Sequence, residues 1–237
     1  MRESRMFRPM PAWAMPVSVM IGVLLLCAAC ESKSADAVVQ AAPEGAWPME
    51  ERWDFERPSI PDKIPEALET KAFESVRGEW YLDTVDEGRV LFQNAKNASP
   101  VFNVLLTESV ATDLELEVTL RSVDGEIDQG GGLVWRAKDG ENYYIARFNP
   151  LEDNYRVYTV VDGVRTQLAT ADASVPADTW SMLTVRMVGD HITCALDGKP
   201  LLDVHDTTFT EAGRIGLWTK ADARTQFDDL ALRTDAP

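Results

Sequence analysis

Apolar and polar residues alternate with a period of two along most of the chain from about residue 47 onward. The sharpest example is the segment 113–121, in which Leu114, Leu116, Val118 and Leu120 fall on one side and polar residues on the other. This period is typical of half-buried β-strands, because successive side chains of a strand point to opposite faces. The pattern therefore predicts a protein built mainly from strands with one apolar face each.

Three such strands follow one another between residues 130 and 161. One side of these strands is apolar and consists of Leu133, Trp135, Tyr144, Ala146, Phe148, Tyr155 and Val157. The other side carries Arg136, Arg147 and Arg156, with Tyr143 and Tyr158 between them. We expect the apolar side to face a core and the arginine-rich side to face outward.

Turn signals separate the strands. Asp-Gly pairs at 162–163 and 197–198 lie between β-rich runs, which is the strongest short-range indication of a hairpin. About a dozen strands and few helical segments predict an all-β protein, an antiparallel two-sheet sandwich. The predicted core contains Trp135, Tyr144, Phe148, Val157, Leu217 and Phe227.

The first 46 residues have a different character. Arginines precede an apolar run from about Pro16 to Leu26, and small residues lead to Cys30, which together indicate a secretory signal. The segment 26–30 resembles the lipobox of bacterial lipoproteins, although Cys27 stands where that motif usually has leucine. The resemblance implies a lipid anchor at Cys30, whereas the alternatives are an uncleaved anchor or ordinary signal cleavage near Ala29.

These features divide the chain into a signal peptide (1–29), a lipidated cysteine with a flexible tether (30–46) and one folded domain (47–237). We expect a lipoprotein of the cell envelope, in the periplasm or anchored to the outer membrane. After signal removal Cys194 would be the one unmodified thiol, and its alternation with Ile192 and Leu196 predicts a core position.

Charge narrows the class of partner. The 237 residues carry a formal net charge of −16, which disfavours nucleic acid because such a surface repels phosphate. The sequence leaves the oligomeric state open.

Several motifs resemble one known family. Five features are similar to the concanavalin A-like lectin/glucanase superfamily. They are a Trp-rich start, Gly-Gly-Leu-Val-Trp-Arg at 131–136, Asp-Gly-Lys at 197–199, Gly-Arg-Ile-Gly-Leu-Trp at 213–218 and Phe-Asp-Asp-Leu at 227–230. Within it, the chain most resembles the 3-keto-disaccharide hydrolase-like domains. The resemblance covers roughly residues 50–235, and it implies a jelly-roll sandwich and carbohydrate as the partner.

Candidate catalytic residues lie on the sharpest strand. Glu115 and Glu117, together with Asp113, occupy its polar side, and residues two apart on a strand are roughly 6.6 Å apart, near the spacing of paired carboxylates in glycoside hydrolysis. They resemble the catalytic strand of β-glucanases, although the order of acids differs. The alternative is a solvated face whose carboxylates pair with Arg136, Arg147 or Arg156.

Metal ligands have weaker support. Asp228 and Asp229 are candidate calcium ligands, since related sandwiches place such a ligand in the last strand, with Asp222 or backbone carbonyls as further donors. Solvent-facing carboxylates are the alternative, and no other cofactor is expected. His191 and His205 are not at metal-ligand spacing along the chain, so we expect turn or surface roles for them.

The outward face of the central strands is the predicted ligand surface. Its residues are Arg136, Tyr143, Arg147, Asn149, Asn154, Arg156, Tyr158, Trp218 and Lys220. Aromatic rings can cover the apolar side of a sugar ring, while arginine and asparagine bind hydroxyls or the carboxylate of an acidic sugar. The leading hypothesis is glycan recognition. The alternatives are a glycoside hydrolase that uses Glu115 and Glu117, and a structural or partner-binding envelope protein.

Overall fold

The computed structural model of the protein describes residues 47–56, 63–64, 72–85 and 88–235, and these residues form sixteen strands. In chain order the strands are β1 (Met49–Trp53), β2 (Lys63–Ile64), β3 (Phe73–Arg77), β4 (Trp80–Val85), β5 (Gly88–Gln93), β6 (Phe102–Ala111), β7 (Leu114–Asp124), β8 (Gly131–Ala137), β9 (Tyr143–Asn149), β10 (Asn154–Val161), β11 (Val164–Asp172), β12 (Ser181–Val188), β13 (His191–Leu196), β14 (Lys199–His205), β15 (Gly213–Lys220) and β16 (Arg224–Thr234).

The strands form two antiparallel sheets. The nine-stranded sheet has the order β14-β13-β12-β7-β16-β5-β4-β2, with β1 paired to β16, and the seven-stranded sheet has the order β11-β10-β9-β8-β15-β6-β3. The predicted fold class, an antiparallel two-sheet jelly-roll sandwich, is confirmed. The described part of the chain contains no helix long and apolar enough to cross a membrane.

The apolar faces of the two sheets meet in one continuous core. All six residues predicted from the alternation lie in it, each at most 2% exposed: Trp135, Tyr144, Phe148, Val157, Leu217 and Phe227. The rings of Trp135 and Tyr144 stack with centroids 5.4 Å apart, as offset aromatic pairs commonly do. Burial of this many large side chains supplies most of the driving force for folding.

Both predicted hairpins are present and use the same turn geometry. Asp162 and Gly163 have φ of 49° and 75°, and Asp197 and Gly198 have φ of 50° and 74°. Positive φ at both central positions defines a type I′ turn, whose twist matches that of the flanking strands. Cys194 is buried, as predicted, and burial raises the pKa of its thiol well above the ordinary value.

Some boundaries differ from the sequence prediction. The segment from Trp53 to Phe55 is predicted from the sequence to be a short first strand, whereas the observed first strand, β1, ends at Trp53. The sequence pattern does not predict β3. In β3 only Phe73 is a fully buried apolar side chain, so the alternation is too short to stand out. The predicted signal peptide, Cys30 and the tether lie outside the described residues.

Truncation of Phe148 tests which face of β9 is buried. Phe148→Ala should lower the free energy of unfolding by about 3–5 kcal/mol, because a buried aromatic ring leaves a cavity that the sandwich fills poorly. Urea denaturation monitored by tryptophan fluorescence measures this loss. Val164→Ala, at a position that is 67% exposed, is the control and should change stability little. An unchanged midpoint in Phe148→Ala would contradict the assigned face.

Candidate functional site

The outer face of the seven-stranded sheet carries a second apolar group that is separate from the core. This apolar patch consists of Val104, Leu106, Val134, Ala137, Tyr143, Ile145, Tyr158, Val160 and Trp218, with Phe102 packed against it. Trp218 Nε1 donates to Tyr143 Oη over 3.2 Å, and burial raises the pKa of Tyr143. Tyr143 and Trp218 are each at most 1% exposed, so they form the floor of this face.

Arg165 lies over the patch. Its guanidinium carbon is 4.3 Å from the centroid of the Tyr158 ring, 5.5 Å from that of Phe102 and 5.7 Å from that of Trp218. Cation–π attraction of this kind is stronger when the cation is partly desolvated. Burial lowers the pKa of Arg165, and repulsion from Arg147 acts in the same direction.

A cluster of polar side chains adjoins the patch on β9, β10 and the turn between them. Three donors converge on one oxygen, Oε2 of Glu152: Arg147 Nη2 at 2.8 Å, Arg156 Nη1 at 3.2 Å and Asn154 Nδ2 at 3.1 Å. The cross-strand pairing of Arg147 with Arg156 and of Asn149 with Asn154 brings these side chains to one end of the hairpin. Glu152 is therefore the acid that holds this polar cluster together.

A second acid connects the polar cluster to β15. Asp128 accepts from Lys220 Nζ at 2.7 Å through Oδ2 and from Asn149 Nδ2 at 2.7 Å through Oδ1. Asn149 Oδ1 in turn accepts the backbone N–H groups of Leu151 and Glu152, which shapes the turn that carries Glu152. Asp128 is 1% exposed, so its charge acts in a poorly solvated environment.

The ionisation of the cluster follows from these contacts. Burial acts to raise the pKa of Glu152, but hydrogen bonds from Arg147 and Asn154 prevail and lower it to about 2. Burial acts to lower the pKa of Arg147, but neighbouring groups, led by Tyr158 and followed by Asp128, more than offset it. Both members of the pair are therefore charged throughout the neutral range.

Several polar atoms of this face have no hydrogen-bond partner although they are buried. They are Nε and Nη1 of Arg147, Nη1 of Arg165 and Oδ1 of Asn154. The side chain of Arg147 is 1% exposed. Buried polar groups are nearly always paired, so unpaired donors beside an unpaired acceptor indicate a place where a ligand supplies the missing partners.

A cleft of about 530 Å³ opens beside the apolar patch. Phe102 and Val104 of the patch line it, together with Arg77, Val76, Glu141 and Gly163. It thus continues the site from the aromatic floor toward the β10–β11 turn. Its size suits one or two sugar rings.

The structure brings together eight of the nine residues that the sequence assigned to the ligand surface, and Arg136 is the exception. Arg136 has φ of 46° at a register shift between β8 and β15, so the alternation is broken there. Its guanidinium donates to the carbonyls of Thr112, Phe209 and Gly189 and lies 3.3 Å from Asp113. The placement of Arg136 on the ligand surface was wrong, and its observed bonds tie three loops together.

Glu115 and Glu117 lie on the outer face of the other sheet. Arg233 Nη1 is 2.8 Å from Glu115 and 2.9 Å from Glu117, and Arg186 is 3.5 Å from Glu115. The sequence analysis anticipated ion pairs for the acids of this strand, and the pair of Asp113 with Arg136 is present. For Glu115 and Glu117 the arginines named were wrong, because β7 neighbours β12 and β16 rather than β8–β10. The two acids share one guanidinium, which differs from a carboxylate pair flanking an open cleft.

The three acids considered for calcium do not converge. Asp222 accepts the backbone N–H groups of Glu126, Ile127 and Asp128, which closes a loop. Asp228 accepts the N–H of Asp229, and its pKa is raised to about 6, mainly by burial. The carboxylate of Asp222 therefore closes a loop, whereas that of Asp228 is engaged at an irregularity within β16.

The two histidines, by contrast, come together. His191 pairs directly with His205 across β13 and β14, and their rings stack with centroids 4.5 Å apart. Asp203 Oδ1 lies 2.8 Å from His191 Nε2, and the ligand atoms of His191, Asp203 and His205 lie within 4.8 Å of one another. The expectation that these histidines lack metal-ligand spacing holds along the chain but was wrong in space.

Sequence analysis missed Arg165, Phe102 and Asp128 as members of the site. The signal for Arg165 was present, since a two-residue hairpin at 162–163 pairs Val160 with Arg165 and so puts both on one face. Phe102 reaches the site because β6 neighbours β15, and Asp128 lies in a loop between strands. Neither position follows from local alternation.

The two antiparallel sheets give the chain the concanavalin A-like fold. More particularly, residues 46–233 match the 3-keto-alpha-glucoside-1,2-lyase-like domain, and the chain belongs to this family.

The chain is also similar to individual proteins. A stretch of 144 residues is 26% identical to levanase from Bacillus subtilis (strain 168), covering 60% of this chain and 20% of the levanase. The chain thus spans about a fifth of the length of that relative. The carbohydrate binding module CBM66 from Bacillus subtilis superposes with a TM-score of 0.61 at 22% identity, over 72% of this chain and 100% of the module.

A Bacillus subtilis protein of unknown function with a galectin-like fold superposes with a TM-score of 0.58 at 12% identity, over 81% of this chain and 97% of that chain. At these identities, the two structural likenesses establish the fold.

Proposed function

We propose that the domain binds carbohydrate on the outer face of the seven-stranded sheet, between the polar cluster and the apolar patch. The observation that carries this proposal is the set of buried atoms without partners on Arg147, Arg165 and Asn154. Sugar hydroxyls both donate and accept, so one sugar can serve the arginine donors and the asparagine acceptor together.

The apolar patch complements these polar atoms. A sugar ring has apolar C–H faces, and the partly buried Phe102 and the cleft beside it offer an apolar surface for one. The names of two similar proteins, a levanase and a carbohydrate binding module, support the same class of ligand.

A comparison of three variants tests the location of the site. Arg147→Gln and Asn154→Ala should each weaken binding by at least tenfold, about 1.4 kcal/mol, to the glycans that the parent retains on an array. Titration calorimetry measures the affinity, and circular dichroism checks the fold. Arg121→Gln is the matched control, because Arg121 bonds to Gln226 and lies over Trp180 on the other sheet.

The same experiment separates binding from catalysis. Because Glu115 and Glu117 lie on the nine-stranded sheet, Glu115→Gln and Glu117→Gln should leave glycan binding unchanged. Turnover of a bound glycan that either variant abolishes would establish the hydrolase alternative instead. Parent-like binding by both Arg147→Gln and Asn154→Ala would contradict the proposed location.

The proposal includes a lipid anchor at Cys30 and a place in the cell envelope. Four features of the sequence motivate the proposed anchor: the basic start, the apolar run, the small residues before Cys30 and the small polar tether after it. Two acyl chains give stable anchoring where one would be marginal.

Mass spectrometry of the native amino terminus tests the anchor. We expect a mature chain that begins at a diacylated Cys30 and partitions with membranes, and we expect Cys30→Ser to abolish the modification and the partitioning. Ser34→Ala, a change in the tether, should leave both unaltered. An unmodified terminal residue in the parent would refute the anchor without affecting the glycan site.

A further inference from the structure

The guanidinium groups of Arg147 and Arg165 are connected through Arg156 and Tyr158 on the same face of the sheet. Arg147 and Arg156 share Glu152, Arg156 Nη1 lies 3.5 Å from Tyr158 Oη, and Arg165 covers the Tyr158 ring at 4.3 Å. The charge of Arg147 acts to lower the pKa of Arg165, whereas Tyr158, Asp128 and Glu152 act to raise it. Arg147 has two buried nitrogen atoms without partners and Arg165 has one. An anion between them would replace repulsion with two attractive contacts.

The charges of this face do not balance. The polar cluster and Arg165 bring together four cations, Arg147, Arg156, Arg165 and Lys220, against two acids, and the adjoining cleft adds Arg77, Asp139 and Glu141. Glu152 is shared by Arg147 and Arg156, and Asp128 is bound to Lys220. In a chain of net charge −16, the face therefore carries a local positive surplus.

Arg165 accounts for much of this surplus. In the described part of the chain, its contacts are the rings of Phe102, Tyr158 and Trp218, and no carboxylate forms an ion pair with it. Asp128 and Glu152 act to raise the pKa of Arg165, but each of them is already bound to another cation. A ligand that brings a further negative charge would offset the remaining cost of desolvating Arg165. A neutral sugar would leave the cost in place.

We propose that the ligand is an acidic sugar, a glycan that contains uronic acid, whose carboxylate lies between Arg147 and Arg165. The inference rests on the proposed function and specifies its ligand class. A carboxylate accepts paired N–H groups from a guanidinium in a fixed planar arrangement, which selects it over a hydroxyl. Asn154 Oδ1 then accepts from a ring hydroxyl beside the carboxylate.

Arg165 also governs access to Arg147. It is held over the aromatic rings by cation–π contacts, without a hydrogen bond to another described residue, so its long side chain can move aside at modest cost. A carboxylate that enters would then bind to both guanidinium groups, that of Arg165 and that of Arg147.

The test compares acidic polysaccharides with their own carboxyl-reduced forms. Polygalacturonate, alginate, hyaluronan and heparosan are suitable probes, because reduction removes the charge and leaves the linkages intact. We expect the full-length protein to retain at least one acidic probe at least tenfold more tightly than its reduced form. We also expect this affinity to fall as sodium chloride is added, since the attraction is electrostatic.

Variants of the two arginines test which residues bind the carboxylate of the probe. Arg165→Gln should lose at least tenfold in affinity for the acidic probe and little for the reduced form, and Arg147→Lys should lose the preference because it cannot bind the carboxylate in a bidentate manner. Arg121→Gln, on the other sheet, is the control. Arg165 is only partly buried and lies in an exposed strand, so its variant is expected to fold even if changes at Arg147 do not.

Two failures are distinguishable. Retention of neutral glycans with equal affinity and no salt dependence, still lost in Arg147→Gln, would overturn the acidic ligand and leave the proposed function intact. Retention of no glycan at all would overturn both.

A different observation, the convergence of histidines on the nine-stranded sheet, carries a second inference. His191, Asp203 and His205 offer two imidazoles and a carboxylate, and Asp190 Oδ1 lies 3.2 Å from His205 Nδ1. A carboxylate on the far nitrogen of a metal-binding histidine fixes its tautomer and directs its other nitrogen to the metal. In the described residues, Asp190 and Asp203 contact these histidines and form no ion pair with an arginine or lysine.

The geometry points to a site for a divalent transition metal at the β13–β14 hairpin. Imidazole and carboxylate together suit Zn²⁺, Cu²⁺ or Ni²⁺. His191, Asp203 and His205 would be the ligands, with water completing the coordination, and Asp190 would orient His205. A bound ion would join the two strands across their outer face and stabilise the hairpin.

Proton NMR of the tag-free protein tests this inference, because the chain contains two histidines and gives two assignable imidazole signals. Addition of ZnCl₂ should shift both signals together and raise the thermal midpoint of the parent. His191→Gln and Asp203→Asn should each weaken Zn²⁺ binding by at least tenfold. Asp178→Asn, an exposed acid elsewhere, should bind as the parent does.

Imidazole signals that stay in place at millimolar ZnCl₂ would overturn the metal site. So would equal affinity in the parent and in His191→Gln.

Discussion

The contact between the apolar faces of the two sheets governs the rest of this structure. Tyr144, Ala146 and Phe148 of β9 face the shared core, so the residues that alternate with them, Ile145 and Arg147, must point away from it. The position of Arg147 on the outer face is thus a consequence of core packing. A one-residue slip of β9 would bury the guanidinium in the core and expose Phe148, which neither sheet could tolerate.

The charged groups on the outer face then determine which ligands this face could bind. Glu152 and Asp128 are placed by the β9–β10 turn and by Asn149, and each holds its cations through direct hydrogen bonds. These bonds keep the arginine and lysine side chains in fixed positions, which is the preorganisation that specific recognition requires. They leave Nε and Nη1 of Arg147 without partners, so the same network keeps donors available for the proposed ligand.

Alternation in the sequence was sufficient for the core and for most of the outer face. Tyr143, Arg147 and Trp218 are where the pattern placed them, because strand pairing is regular at each of these positions. Arg136 departed from the pattern because it lies at a bulge in the pairing of β8 with β15. The sequence of one strand alone does not determine that pairing.

Strand order was the second source of error. The partners of Glu115 and the approach of His191 to His205 depend on which strands are neighbours, and local periodicity carries no such information. The position of Arg165 was easier to predict from the sequence than these contacts. The two-residue hairpin at Asp162 pairs Arg165 with Val160, which is close to it along the chain. Contacts within one hairpin were thus accessible from the sequence, whereas contacts between distant strands required the folded chain.

The two ends of the described chain both belong to the nine-stranded sheet. β1 pairs with β16 from Met49 and Thr234 onward, and Trp47 lies over the guanidinium of Arg186 on the outside of that sheet. Arg147 and Arg165 face away from it, on the opposite layer. If the chain before Trp47 and a polymer bound at Arg147 were pulled apart, the force would therefore pass through both sheets of the sandwich. The packing of the aromatic core between the sheets would set the resistance of the domain to that force.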